Sequence, residues 1–212
     1  MIIKHYSAIE EKINVRSHFV GIILSIVGFF LLLHKAFNSG DIWSILSAFI
    51  FSSSMILLYL ASTLYHNSKN DKIRFRLKVF DHCAIFLLIA GSYTPFTLLV
   101  LEGTVSWVLF GIIWSMAITG IILKLFFTGQ YNLLSTIIYV IMGWMVIFFI
   151  LPIIDNLPTA GLIWLSIGGL FYTIGAANYL FKTIKYTHAT FHIFVLLGSF
   201  CHFFCIYNYV IL

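Results

Sequence analysis
His188 and His192, in the stretch THATFHIFVLLGSFCHFF at 187–204, are four residues apart. On an α-helix that spacing sets two side chains about 40° apart around the axis and about one turn apart along it, so both imidazoles reach one point. Ser62 and His66 repeat the spacing in STLYH at 62–66, and Asp81 follows LKVF. Three neutral imidazoles with no thiolate at the same level suit a tetrahedral Zn²⁺ whose fourth position is left to water, the arrangement of a catalytic zinc. Asp81 would hydrogen-bond that water or orient an imidazole, and Ser62 would lie one turn deeper on the face of His66. A metal of this kind lowers the pKa of its bound water to about 7. The plainer reading stays open, because a lone H-x-x-x-H is a weak motif and histidines at a membrane boundary also sit among lipid headgroups without any metal.

The elements that must position these residues follow from composition. The chain has 212 residues, 61% hydrophobic and 9% charged, with a mean hydropathy of +1.05. That is too apolar for a water-facing domain to cover, so an integral membrane protein is expected. Its apolar runs are long rather than ten-residue alternations, which selects helices over a barrel. Seven spans are expected at about 17–37, 43–65, 80–100, 105–124, 133–152, 160–181 and 189–210. Turn chemistry separates them: NSGD at 38–41, NSKND at 67–71, EG at 102–103, TGQYN at 128–132 and DNLP at 155–158. The fold class is therefore an all-α seven-helix membrane bundle forming one domain over residues 1–212. The opening MIIKHYSAIEEKINVR is polar and amphipathic, and the apolar run after it is longer than a signal-peptide core, so the first span is expected to be retained.

Lysine and arginine set orientation by gathering on the cytoplasmic side. Lys4, Lys12 and Arg16 precede span 1; Lys69, Lys72, Arg74, Arg76 and Lys78 lie between spans 2 and 3; Lys124 ends span 4; Lys182 and Lys185 lie between spans 6 and 7. Only Lys35 falls on the other side, so eleven of the twelve basic residues share one face. The N-terminus is expected in the cytoplasm and the C-terminus outside. The basic excess lies where anionic membrane lipid would meet it, and no nucleic-acid partner is expected. With that topology His66, Asp81, His188 and His192 all fall near the cytoplasmic boundary, which brings three helices to one level and strengthens the metal reading.

His202 lies fourteen residues after His188, on the same face but about 15 Å deeper than His192. It is too far to share a metal, and an interhelical hydrogen bond is its expected role. Ser199 shares its stripe, whereas Cys201 points nearly opposite. His82, about 100° from Asp81, is expected to face a neighbouring helix; His5 and His34 are read as loop or interface residues. Cys83, Cys201 and Cys205 fall within spans, where no oxidising compartment would pair them, and are read as packing.

At this point the residues resemble the hemolysin III proteins, the bacterial branch of the progestin and adiponectin receptor family. The resemblance covers essentially all seven spans through EKINVRSHFVG at 11–21, STLYH at 62–66, Asp81 with GSYTP at 91–95, and HATFH at 188–192 with His202. It implies that His66, His188 and His192 match the receptors' zinc ligands, Asp81 the acid near the bound water and Ser62 the nearby hydroxyl. It also implies a cytoplasmic N-terminus, a bacterial plasma membrane, and a link to lipid-amide (ceramide) hydrolysis or membrane-lipid homeostasis. Ser17 stands where the family often has threonine, which keeps the hydroxyl. Glu11, Asn14 and His18 would either cap and anchor the start of span 1 near the metal or simply satisfy a helix end, and the structural role is the one expected.

Three functions compete. One is a zinc-dependent hydrolase of a lipid amide or ester, acting on membrane lipids. Another is a receptor or regulator in which the metal is structural. The third is a transporter or cytolytic pore, which would want charges or broken helices at the bilayer midplane, where only His202 and Pro95 come near. A retinal protein would need a lysine inside span 7, and Lys182 and Lys185 lie outside it. A di-iron desaturase would need several histidine boxes, and the chain has eight histidines with one H-x-x-x-H.

Overall fold
A computed structural model describes residues 6–181 and 184–212; Lys4, His5 and Lys182 lie outside the described residues. The described residues are helical throughout: α1 (Ala8–Ser39), α2 (Ile42–Asn67), α3 (Asp71–Leu99), α4 (Gly103–Phe127), α5 (Asn132–Gly143), α6 (Ile150–Asn156), α7 (Thr159–Leu180) and α8 (Thr187–Cys205). A 3₁₀ stretch at Met145–Phe149 joins α5 to α6, and a π-helical turn at Ile206–Val210 extends α8. Counting α5 to α6 as one, the described residues form seven helices long and apolar enough to cross a membrane.

The helices begin where side chains satisfy their free N–H groups. The Ser7 hydroxyl accepts from Glu10 N at 3.2 Å. The Asp41 carboxylate accepts from Ser44 N at 2.8 Å and Trp43 N at 3.2 Å, and Asn70 accepts from Lys72 N at 3.0 Å. Slight desolvation acts to raise the Asp41 pKa, but these donors and the Ser44 hydroxyl together hold its carboxyl below the ordinary range. Gly40, at φ 69°, closes α1 in the left-handed conformation. α1 begins nine residues before the expected apolar stretch, at 8 rather than 17. Glu11 keeps a part at this helix end, its Oε1 accepting from Tyr6 N at 3.3 Å, whereas Asn14 and His18 lie inside a helix already capped by Ser7 and cap nothing.

The bundle is apolar outside and polar inside. α1 exposes Phe19, Ile23 and Phe30 and buries Asn14, Ser17, His18, Gly21, Ser25 and Gly28. With lipid as apolar as leucine, helices associate through small residues and interhelical hydrogen bonds, which is what this inner stripe supplies. α1 packs on α2 and α8, α2 on α3, α3 on α4, and α7 on α8, while α5 reaches α3 and α7. At the α2–α3 crossing a Cβ on Gly91 would stand 2.3 Å from Ser54 Oγ and 3.4 Å from the Ile50 carbonyl oxygen. Gly91→Val is expected to destabilise the bundle by about 1–3 kcal/mol, measured as a lower thermal midpoint in detergent.

The fifth span, expected as one helix over 133–152, is broken at Gly143. The Tyr93 hydroxyl enters the break, donating to the Gly143 carbonyl at 2.7 Å and accepting from Val146 N at 2.9 Å. On the other side Trp144 Nε1 donates to Thr173 Oγ1 at 2.9 Å. An inserted hydroxyl that satisfies both freed backbone groups is a sufficient cause for the interruption. At the far end Lys35 Nζ donates to the Tyr207 carbonyl at 2.5 Å, fastening α1 to the π-turn.

Candidate metal centre
His66 stands in the last turn of α2, and His188 and His192 in the first two turns of α8. All three are buried. Their Nε2 atoms face one another, at 3.0 Å from His188 to His66 and 3.1 Å from His192 to His188. One nitrogen from each ring lies within 4.8 Å of the other two. Nitrogens bound tetrahedrally at 2.0–2.1 Å are about 3.3 Å apart, so the group has the spacing of a ligand set. These three histidines form a group able to hold a metal ion.

Protonation fits as well. His66 Nδ1 lies 2.7 Å from Glu11 Oε2. A carboxylate only accepts, so Nδ1 is assigned the proton and the Nε2 lone pair is left for the other two rings and a metal. Asn14 Nδ2 lies 3.3 Å from the same Nδ1 and Asn14 Oδ1 has no hydrogen-bond partner. Turning the amide over would place its oxygen against that N–H, the orientation assigned by the network.

Glu11 is itself held. Arg74 on α3 donates from Nη2 to Glu11 Oε1. Its Nη1 donates to the Ser68 carbonyl at 3.1 Å, and its guanidinium lies over the Tyr65 ring at 4.8 Å. One buried guanidinium thus satisfies the end of α2 and fixes the carboxylate that orients His66. Two aromatic rings stack on the triad. Tyr6 stacks on His188 with centroids 4.6 Å apart, and His18 stacks on His192 at 3.7 Å. Burial, reinforced by Tyr179, pushes the Tyr6 phenol up from its ordinary range, so it stays uncharged at neutral pH.

Of these, Glu11, Asn14 and His18 had a signal in the sequence, since their 3- and 7-residue spacings fall on one helical face. Arg74 had none beyond its charge. Its role depends on where α3 meets α1.

Asp81 and Ser62 reach the same place by another route. Both line a cavity of about 140 Å³ together with His18, His188 and His192. Asp81 is buried, with Oδ2 3.4 Å from His82 Nδ1, and makes no hydrogen bond to the three converging imidazoles. His82, expected to face another helix, lines the cavity too, and its Nδ1 donates to the Lys78 carbonyl at 2.8 Å. The Ser62 hydroxyl is buried without a hydrogen-bond partner. From this polar end the cavity runs between Leu88, Ile89, Phe191 and Val195 to His202.

His202 lies at the inner part of the cavity, with neither ring nitrogen in a hydrogen bond of good geometry. Its ring is edge-on to Tyr172 at 5.3 Å. A Cβ on Gly168 would stand 2.2 Å from His202 Cδ2, so the ring occupies space that only glycine leaves. Its stripe-mate Ser199 instead bonds the Tyr172 hydroxyl at 2.8 Å. Cys83, Cys201 and Cys205 are buried free thiols. Outside the triad a second, polar pocket is lined by Tyr6, Glu11, Lys12, Arg16, Lys69 and Arg74 together with His66. The three imidazoles stand between the two spaces.

Known proteins are similar to this chain over nearly its whole length. A "Hemolysin-3 homolog" of Bacillus subtilis (strain 168) is 44% identical over 202 residues, 95% of each chain. "Hemolysin-3" of Bacillus cereus is 42% identical over 202 residues, 95% of this chain and 92% of that one. "Monocyte to macrophage differentiation factor" of Homo sapiens is 29% identical over 211 residues, covering 95% and 84%. Residues 6–203 match the family described as "Haemolysin-III related". With the seven membrane-length helices, these matches make the chain a multi-pass membrane protein that belongs to the haemolysin-III related family.

Proposed function
We propose that this protein is a zinc-dependent hydrolase of a membrane lipid, cleaving an amide or ester, with its N-terminus in the cytoplasm of a bacterial plasma membrane. The observation that carries the reading is the convergence of three imidazole Nε2 atoms beside an apolar cavity that Asp81 and Ser62 also line. His66, His188 and His192 would hold the zinc. When bound, zinc would supply a Lewis acid and lower the pKa of its water. The chain's own residues do the rest. Asp81 takes the proton from the attacking water and returns it to the departing amine or alkoxide. Ser62 Oγ, with its hydrogen-bonding capacity unspent, donates to the carbonyl oxygen as charge develops there. The apolar cavity walls hold the acyl chain and exclude bulk water. Eleven basic residues on one side of the spans support that orientation, under which the triad would lie at the cytoplasmic boundary.

A structural role for the metal has its own support. The triad joins α2 to α8, and Glu11 and Arg74 extend the linkage to α1 and α3, so a bound ion would lock four helices. Asp81→Asn separates the two readings. For a hydrolase, the variant keeps its metal and loses about 10²- to 10⁴-fold in turnover of a long-chain N-acyl amide, followed by release of free fatty acid. Metal-replete wild type without turnover, or undiminished turnover in Asp81→Asn, sinks the hydrolase and leaves the regulator.

A further inference from the structure
The cavity's polar end carries a charge that the metal reading does not use. Lys124, in the last turn of α4, is 4% exposed and lines the cavity beside Asn132, Ser135 and Thr136 of α5. Its Nζ donates to Ser135 Oγ. Ser135 in turn gives its own proton to the Tyr131 carbonyl at 2.8 Å, so the lysine is the donor in that contact. Thr136 also spends its proton locally, on the Asn132 carbonyl at 2.9 Å. Among the described residues no carboxylate lies within salt-bridge distance of Lys124. The nearby Asp81 lies against His82, and Cys83 directs its thiol to the Ile121 carbonyl. Lys78 adds a second ammonium close by, its Nζ 3.1 Å from where a Cβ on Gly129 would stand. The half-charge at the end of α4 offsets only part of this.

A buried ammonium with one of three N–H groups engaged is expensive in a membrane-spanning bundle, and such residues mark ligand sites. We propose that Lys124 is an anion-binding site that receives the oxyanion, carboxylate or phosphate, of an amphiphile whose apolar part lies in the cavity. The walls suit the division, with Ile85, Leu88 and Val140 for the chain and the lysine end for the head. The site is separate from the metal ligands, and ligand capture there does not require hydrolysis.

Equilibrium binding of radiolabelled palmitate, hexadecyl phosphate and hexadecanol to the full chain in nanodiscs tests this. Wild type is expected to hold at least one of the anions about ten- to a hundredfold more tightly than the alcohol. Whichever anion is preferred identifies the head as a fatty-acid carboxylate or a lipid phosphate. Lys124→Gln and Lys124→Met remove the preference and leave hexadecanol binding unchanged, which also shows that they fold; Lys124→Arg restores it. Equal binding of acid and alcohol by wild type overturns the proposal without any variant. So does a preference that survives Lys124→Gln but disappears when metal is stripped from wild type, which assigns the oxyanion to the metal instead.

Discussion
Replacing His192 with alanine is expected to lower bound zinc from about one ion per chain to background, measured by elemental analysis of purified protein. The effect is large because the described residues offer no further ligand in the converged group. Among the described residues only three ring nitrogens lie together. Asp81 and Ser62 line the adjoining cavity without bonding to any of the rings. His18, stacked on His192 at 3.7 Å, presents its face rather than a nitrogen. Two imidazoles on different helices hold a divalent ion far more weakly than three, and purification would strip it. Full metal content in a folded His192→Ala protein would contradict the metal centre, and absence of metal from folded wild type would do so more directly.

The second large effect is expected from a residue that touches no metal. Glu11→Ala should weaken metal binding about 10- to 100-fold, read by competition with a chromophoric chelator, while stoichiometry at saturating metal stays unchanged. The cause is the 2.7 Å contact from Glu11 Oε2 to His66 Nδ1, which fixes both the tautomer and the tilt of the ring. Without it, His66 can turn over or place its proton on Nε2, and each alternative removes a ligand. The same variant leaves the buried Arg74 without its carboxylate, so part of the loss is global stability. Comparison with Arg74→Met isolates that part, since the double variant should lose less than the sum of the single changes. An unaltered affinity in Glu11→Ala would show that the ring is held by packing alone.

Much of this architecture was legible in the sequence, because bilayer thickness and helical pitch constrain it strongly. Long apolar runs gave seven helices, and the four-residue spacing of His188 and His192 placed two ligands on one face before any fold was known. Bringing His66 to the same level needed only a topology. What remained hidden depends on angles between helices. Arg74 resembled one more basic loop residue until α3 was seen to cross beside Glu11, and Lys124 was counted as a topological charge although it is 4% exposed. The interruption at Gly143 was equally hidden, since it is set by a tyrosine fifty residues earlier. His202 stands outside the converged group, and the glycine that makes room for it lies on another helix.

His66 belongs to the polar pocket, whereas His188 and His192 belong to the apolar cavity. The triad is therefore a bulkhead with a wet side and an oily side. An ion bound by the triad would come past Tyr6 and Lys69, and a lipid would come from among the helices. On the proposed function, loading the metal and loading the ligand would be independent events, and a chelator would empty the bulkhead while a lipid still filled the chamber behind it.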